Sequence, residues 1–283
     1  MRRSAVSIVP MEPAHIAETH ALSRAVRWPH RIEDLHLLFE LGRGYVLLEG
    51  EAVIGTIMWW PFGARYAALG MVIVTPERQG QGLGGQLMDL ALDEIGSRDI
   101  LLNASKEGVP LYAKMGFKTL EVLGQHQGMP SDRVAVAPTE GARARALRAA
   151  DLEAVIAFDA RASGLSRAAM LRALFDAGEG LVTERDGRLL GYALFRRFGL
   201  GHVIGPVAAC DDRTAQALIG TWIESHGDGF LRLDAPTSSG LSDWLESRGL
   251  VKVDDVYTMV RGTPPARAPE GQRLYALTSQ ALG

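Results

Sequence analysis

The chain has 283 residues, of which 47% are hydrophobic and 22% are charged, and its formal net charge is −3. This composition is typical of a globular protein, and the length suggests two domains. The weak net charge gives no electrostatic reason to expect nucleic acid or a membrane as a partner. A single cysteine, Cys210, excludes an intrachain disulfide and a cysteine-based metal cluster. We therefore expect a cytoplasmic protein without a metal site.

The hydrophobic pattern predicts an ordered series of elements in the first half of the chain. They are helices at 13–27 and 32–41, strands at 45–49, 52–60 and 66–74, a helix that begins near residue 83 and stops at Gly96, a strand at 100–103, a helix at 109–115 and a strand at 117–127. This order predicts a mixed α/β fold. A sheet built from hairpins is followed by β-α-β crossovers, with one parallel pairing near residue 80.

Several residues recur along the chain at a nearly constant separation. Three glycines recur 136 positions later (178 − 42): Gly42, Gly44 and Gly55 become Gly178, Gly180 and Gly191. Around each set of glycines the sequence has the same order: a glycine, a short strand, a two-residue turn and a second strand. This order is the pattern of a β-hairpin. A repeat of this length predicts two similar domains rather than a solenoid.

We place the boundary between these domains in the polar, proline- and glycine-containing stretch 130–141. The predicted domains are residues 1–135 and 142–283. The second ends in a tail with a proline-rich, irregular stretch at 263–272. The last residues, 274–283, could add a strand or a helix to either domain.

The most informative stretch of the chain is 72–88, VIVTPERQGQGLGGQLM. An apolar, β-branched run ends at Pro76, and a loop with glycines at 80, 82, 84 and 85 leads into the next helix. Glycines let backbone N–H groups approach an anion closely, and a helix N-terminus adds partial positive charge. The stretch therefore predicts a site that holds phosphate.

One interpretation of this loop is a dinucleotide-binding fingerprint. Residues 80–85 formally fit G-x-G-x-x-G, which alone is a weak signal. That fingerprint opens a βαβ unit whose next strand ends in an acidic residue. Here the next strand ends in Asn103, and the preceding sheet is built from hairpins. A dinucleotide-dependent oxidoreductase is therefore the weaker interpretation, and the lysine-bearing phosphate loop is absent from the sequence.

The same residues fit another pattern better. Gln79-x-x-Gly82-x-Gly84, after a strand that ends in Val74-Thr75-Pro76, resembles the pyrophosphate loop of the GNAT superfamily of N-acetyltransferases. The resemblance continues in LLNA at 101–104 and LYAKMGF at 111–117, and it spans most of residues 5–128. The second half of the chain is similar to a degenerate copy, as in tandem-GNAT proteins.

This resemblance implies a role for each matching residue. The strand edge formed by Val72, Ile73 and Val74 would pair with the pantetheine arm of acetyl-CoA, and Asn103 would lie beside it. Tyr112 would protonate the departing thiolate while a primary amine, on a small molecule or a peptide, attacks the thioester directly in a ternary complex. The backbone N–H groups that would hold the pyrophosphate belong to Gln79, Gly80, Gln81, Gly82, Leu83, Gly84 and Gly85.

Direct attack requires a neutral amine, so a general base is expected. The sequence leaves Glu40, Glu77, His30 and His126 as alternatives. A non-catalytic module that binds acyl-CoA is the other interpretation left open. The sequence does not select the acceptor, the acyl-chain preference or the oligomeric state.

The second half lacks the corresponding chemistry. In place of the glycine loop it reads AACDDRT at 208–214, where two carboxylates would repel a pyrophosphate. The position that corresponds to Tyr112 is Leu245. We therefore expect one working site, with the second domain as a structural support.

Overall fold

The computed structural model describes residues 6–134, 136–267 and 271–283. The chain forms two compact units: Met1–Ile100 with Phe198–Leu200, and Leu101–Arg197 with Gly201–Gly283. The predicted limits at residues 1 and 135, and positions 268–270 of the proline-rich stretch, lie outside the described residues. The predicted domains, 1–135 and 142–283, follow the sequence repeat rather than these units and stay a prediction.

The first unit contains an antiparallel sheet, with two helices between its first and second strands and one helix after its last strand. Its elements are β1 (Val6–Pro10), α1 (Ile16–Ala25), α2 (Ile32–Leu41), β2 (Arg43–Glu49), β3 (Ala52–Phe62), β4 (Tyr66–Val74) and α3 (Leu83–Ile95). The strand order is β1-β2-β3-β4, and each neighbouring pair is antiparallel. The predicted hairpin between β2 and β3 is present, with Gly50 in its turn at φ +67°.

Helix α3 forms because its apolar residues recur at helical spacing. Leu83, Leu87, Met88, Ala91 and Ile95 are buried, and the helix contacts β3 and β4. It ends at Gly96, whose φ of +69° suits a residue without a Cβ atom. Because the glycine loop connects β4 to α3, the N-terminus of α3 lies beside that loop.

The second unit continues the first repeat and contains the whole second repeat. Its elements are β5 (Asp99–Ala104, from Leu101), α4 (Val109–Lys114), β6 (Lys118–Gly128), β7 (Arg143–Ala146), α5 (Leu152–Ser163), α6 (Ala168–Asp176), β8 (Glu179–Arg185), β9 (Arg188–Phe198), β10 (Gly201–Ala209), α7 (Asp212–His226), β11 (Leu231–Pro236), α8 (Ser242–Ser247), β12 (Val251–Arg261) and β13 (Arg273–Ala276). Its strand order is β5-β12-β6-β11-β10-β9-β8-β7, and β13 pairs with β10. The mixed α/β fold and the duplication are thereby confirmed.

The last strands of the two repeats are exchanged within this unit. Strand β6 belongs to the first repeat by sequence, yet it lies between β11 and β12 of the second. Its Leu123 is opposite Pro236 on β11 and Val256 on β12. Strand β12 in turn lies beside β5, where the Thr258 hydroxyl donates to Asn103 Oδ1 at 2.7 Å. The exchange was not expected from the sequence.

The core of the second unit contains a buried charged cluster. Asp159 on α5 and Arg167, just before α6, form an ion pair at 2.6 Å between Nη2 and Oδ1, and neither side chain is exposed to solvent. The Tyr192 hydroxyl donates to the same carboxylate. Buried charges are retained when they are paired and hydrogen-bonded, as these are. In the part of the chain that the structure describes, no helix has the length and apolar character needed to span a membrane.

Candidate active site

Strand β4 contains a bulge immediately before the glycine loop. Its register to β3 pairs Gly70 with Met58 and Ile73 with Thr56. Two residues, Met71 and Val72, therefore lie opposite the single residue Ile57. Met71 adopts φ +53°, a conformation that is uncommon for a residue with a side chain. A bulge interrupts the ladder and redirects backbone groups, so the polar groups of this stretch are not all used by β3.

The three strand residues predicted to contact the cofactor alternate in exposure. Ile73 is buried in the core, whereas Val72 and Val74 are half-buried. Thr75 N donates to Ile54 O at 2.8 Å and ends the pairing with β3. The predicted role of Val72 and Val74 uses their backbone, which this alternation permits.

The glycine loop has the backbone conformation that its sequence predicts. Gly80 and Gly82 adopt φ +75° and +77°, where a residue with a Cβ atom is strained. A Cβ atom added at Gly80, Gly82 or Gly85 would meet no atom within 4 Å. At Gly84 the nearest atom would be Val74 Cγ2 at 3.8 Å. The space over the loop is therefore open to a ligand that approaches the backbone.

The loop leads directly into the N-terminus of α3. Leu83, Gly84 and Gly85 form the first turn, whose N–H groups have no acceptor within the helix. Residues 79–88 contain no charged side chain, so no carboxylate opposes an anion there. The Gln79 side chain donates to Val74 O at 3.0 Å and connects the loop to the end of β4. This combination is an anion-binding arrangement.

Asn103 lies in the second unit and is already hydrogen-bonded at both ends of its side chain. Its Nδ2 donates to Gln280 O at 2.8 Å, and its Oδ1 accepts from the Thr258 hydroxyl at 2.7 Å. These bonds fix the orientation of the amide. The predicted contact of Asn103 with the cofactor stays a prediction.

Tyr112 lies on the short helix α4, and Gly116 with φ +88° follows two residues after that helix ends at Lys114. The backbone O of Tyr112 accepts from Phe117 N at 3.1 Å, and its ring meets that of Phe117 edge to face at 6.0 Å between centroids. Burial raises the pKa of Tyr112 to about 12. The phenol is therefore protonated at neutral pH, as a proton donor must be.

The four alternatives for a general base differ in environment. Among the carboxylates, Glu40 is exposed at the end of α2, and a hydrogen bond from the Thr75 hydroxyl lowers the pKa of Glu77, which makes it a weaker base. His30 is bonded through Nδ1 to the Ser23 hydroxyl at 2.8 Å.

His126 is buried between two partners. Its Nδ1 donates to Gly124 O at 3.0 Å, and its Nε2 is 2.9 Å from the Ser242 hydroxyl. Burial lowers the pKa of this imidazole. Both ring nitrogens are hydrogen-bonded, which is typical of a structural histidine.

The second repeat has two equivalent backbone hydrogen bonds with different side chains beside them. Cys210 N donates to Leu190 O at 2.8 Å, just as Thr75 N donates to Ile54 O. Leu250 N donates to Leu245 O at 3.0 Å, which matches the bond from Phe117 to Tyr112 and aligns Leu245 with Tyr112. Leu245 is completely buried.

Comparisons with known proteins agree with this arrangement. Models described as "Acetyltransferase (GNAT) domain" match residues 40–119 and residues 155–276. The uncharacterized N-acetyltransferase YitH of Bacillus subtilis (strain 168) is 30% identical over 98% of this chain and 98% of its own length. The chain belongs to the GNAT superfamily. It is a tandem GNAT acyltransferase, because the two family matches lie one in each repeat.

Two further relatives extend along nearly the whole GNAT pair. The holothin acyltransferase of Pseudoalteromonas sp. (strain SANK 73390) is 28% identical over 96% of this chain and 94% of its own length. A crystal structure from Pyrococcus horikoshii superposes with a TM-score of 0.80 at 19% identity, over 100% of this chain and 98% of that one. At that identity the crystal structure supports the fold alone.

Sequence reasoning missed two features of this GNAT site. The bulge at Met71 carries no local signal beyond the preceding Gly70, because a positive φ at methionine depends on the surrounding sheet. The contact of Asn103 with Gln280 joins residues that are far apart in the chain. Neither could be read from periodicity or motif spacing.

Proposed function

We propose that this GNAT protein transfers an acetyl group from acetyl-CoA to a primary amine. The observation that supports this most directly is the continuous path from the bulged end of β4, through Gly80 and Gly82 at positive φ, into the first turn of α3. It offers unpaired backbone donors and open space without an opposing carboxylate.

Acetyl-CoA would supply the activated thioester, and this chain would bind and orient it. We assign the pyrophosphate to the N–H groups of residues 79–85 and the pantetheine arm to the strand edge at Val72–Val74. A backbone N–H in that strand edge is also the candidate donor to the carbonyl oxygen of the thioester. The acceptor is a small-molecule or peptide amine. The single cysteine fits a reducing compartment such as the cytoplasm.

Tyr112 is the proposed general acid. As the amine nitrogen bonds to the carbonyl carbon, the carbon–sulfur bond breaks and its electron pair goes to sulfur. The nitrogen loses one proton and the sulfur gains one. The protons balance because Tyr112 donates its hydroxyl proton to the sulfur and then takes up the proton that the nitrogen releases. Because the pKa of Tyr112 is raised, proton donation to the thiolate requires that the pKa of the thiol be raised as well. A site without water meets this requirement, since desolvation raises the pKa of the thiol too.

The test is thiol release from acetyl-CoA with a panel of amino acids, polyamines, aminoglycosides and peptides, with the acetylated product identified by mass spectrometry. We expect at least one amine class to raise thiol release well above the amine-free rate. In a parallel thermal-shift screen, CoA and acetyl-CoA should stabilise the protein and NAD and NADP should not. Binding of acetyl-CoA without amine-dependent release would contradict the enzymatic proposal.

A further inference from the structure

The hydrogen bonds at the ends of β4 and β10 align the two repeats residue by residue. Thr75 corresponds to Cys210, because their N–H groups make the same bond to the neighbouring strand. Counting back, Val72 and Val74 correspond to Val207 and Ala209. The strand edge proposed for pantetheine in the first repeat therefore has a defined counterpart in the second.

That counterpart is occupied by the chain itself. Strand β13 pairs antiparallel with β10, with Ala276 opposite Val207 and Arg273 opposite Ala209. Strand β10 is paired with β11 further back, at His202 and Val203. Beyond those pairs the segment that contains β13 lies between β10 and β11, since Leu277 N donates to Asp234 O of β11 at 2.9 Å.

The occupying segment is part of the core rather than a surface addition. Tyr275 and Ala276 are completely buried and pack in the same apolar cluster as Trp222 of α7. Leu277 and Leu282 are 5% and 1% exposed. Removing such side chains from water contributes roughly 1.5–3 kcal/mol each, so the segment is held by more than its strand pairing.

The turn that begins α7 binds this segment by charge. Asp212, in the first turn of α7, accepts hydrogen bonds from Arg273 and from the Tyr275 hydroxyl. Asp211 caps the helix by accepting from Thr214 N at 2.7 Å. Both carboxylates line an open cavity of about 650 Å³ at the place that corresponds to the glycine loop. Arg213 and Arg273 line the same cavity, and Arg273 is the cation that pairs with Asp212 there. The two carboxylates favour such a cationic residue beside them.

We propose that the former cofactor cleft of the second repeat is a binding site for a peptide strand, and that its ligand is the chain's own segment Arg273–Gly283. The guanidinium of Arg273 and the hydroxyl of Tyr275 take the place of the diphosphate at the helix start. Residues 274–277 take the place of the pantetheine arm along β10.

The far end of the segment connects this cleft to β5. Gln280 O accepts from Asn103, and Gln280 Nε2 donates to Gln125 Oε1 at 3.0 Å. Further on, Gly283 O accepts from the buried Arg167 at 2.7 Å. The segment is therefore held at both ends and in the middle, which fits a permanent occupant.

The first test uses the intact chain and hydrogen exchange. Asp212→Asn removes the charge that binds Arg273, and Asp243→Asn is the matched control, because Asp243 is an exposed acid in the first turn of α8. We expect the amides of residues 273–277 to exchange at least about tenfold faster in Asp212→Asn, the usual scale for losing a charged hydrogen bond. The control should exchange like the original protein. Equal exchange in all three proteins would overturn the proposal.

Saturating CoA is added in a second arm of the same measurement. Exchange at 273–277 should stay unchanged, whereas displacement of the segment, seen as faster exchange there, would overturn the proposal. If CoA protects no residue at all, the proposed acetyltransferase function fails. The comparison of Asp212→Asn with Asp243→Asn still tests the proposed peptide site independently of CoA binding.

The second test makes the ligand exchangeable. A protease site inserted after Arg267 separates the final segment from the folded chain without removing it. A fluorescent synthetic peptide of residues 271–283 should then exchange into the cut protein at one peptide per chain, and a scrambled peptide should not. A Tyr275→Phe, Arg273→Ala peptide should bind at least about tenfold more weakly. No saturable exchange, together with loss of the cut segment from protein that stays folded, would contradict the site.

Discussion

The turn after β4 and the turn after β10 follow corresponding strands but differ in length and have opposite chemistry: residues 75–82 separate β4 from α3, whereas only residues 210–211 separate β10 from α7. Both follow a strand closed by an equivalent hydrogen bond, from Thr75 in one repeat and from Cys210 in the other. Residues 79–82 of the first turn contain glycines and no charged side chain, whereas Asp211 and Asp212 lie at the start of α7. The comparison teaches that hydrogen bonds of the sheet can be kept while a few loop residues change the charge beside the helix N-terminus.

The interiors of the repeats differ in a complementary way. Asp159, Arg167 and Tyr192 form a buried charged cluster in the second repeat. The residues 136 positions earlier (159 − 23) are Ser23, Arg31 and Thr56. Of these, Arg31 forms an ion pair with Asp34 at 3.2 Å, but its side chain is 29% exposed. The second repeat therefore has a completely buried ion pair where the first has a partly exposed one, in addition to a strand ligand of its own.

The largest expected effect comes from breaking that buried ion pair. Asp159→Asn leaves the guanidinium of Arg167 buried without its counter-ion, which typically costs about 3–5 kcal/mol of stability. The matched control is Glu153→Gln on the same helix, where the pair with Arg172 is exposed and contributes about 1 kcal/mol or less. Guanidinium unfolding of both variants measures the difference. Similar losses in the two variants would show that the buried cluster has no special role.

The next effect concerns Tyr112, which Leu245 replaces in the second repeat. Tyr112→Phe should lower kcat by about a hundredfold, within the usual range for general acid catalysis, with little change in KM for acetyl-CoA. Tyr45→Phe serves as the control, since Tyr45 is a tyrosine on β2, outside the proposed site. Steady-state kinetics at saturating amine checks this prediction. An unchanged kcat would remove Tyr112 from the mechanism while leaving the family assignment intact.

The third prediction makes the first loop resemble the second. Gly82→Asp places a carboxylate where the pyrophosphate is proposed to bind, and we expect CoA affinity to fall by about a hundredfold, or about 2.7 kcal/mol. Gly50→Asp is the matched control, because Gly50 has φ +67° and an equally open Cβ position in the β2–β3 turn. Calorimetry with CoA distinguishes the two. Equal losses would point to backbone strain rather than charge.

The smallest effect is expected in the pH profile. Because burial raises the pKa of Tyr112 to about 12, its protonated form persists well above neutral pH. The proton-donating form is lost only as pH rises toward that value, so kcat should show no decline from Tyr112 up to about pH 10. Rates measured between pH 8 and 10 test this. A falling limb near pH 9 that is absent in Tyr112→Phe would contradict the raised pKa.

Local features of this GNAT chain could be predicted from the sequence. The glycine loop, the helix that stops at Gly96 and the hairpin at Gly50 depend on neighbouring residues, and each has a sequence signature. The absence of the site chemistry in the second repeat also followed from single positions such as Leu245.

Features that depend on distant pairing were not predictable. The positive φ of Met71 arises from the register of β4 against β3, and the location of β6 depends on strands more than a hundred residues later (231 − 128). The final segment 274–283 could have joined either domain by its hydrophobic pattern alone. Its actual position depends on the cleft that receives it.

The exchanged strands also affect how the protein is made. When β6 leaves the ribosome, neither of its partners, β11 and β12, has been synthesised, and synthesis of roughly 100 further residues takes about 5–20 s. Throughout that interval the two unpaired edges of β6 must avoid pairing with neighbouring nascent chains. Splitting the gene between the repeats would make that exposure permanent, so the two halves have become inseparable in synthesis as well as in structure.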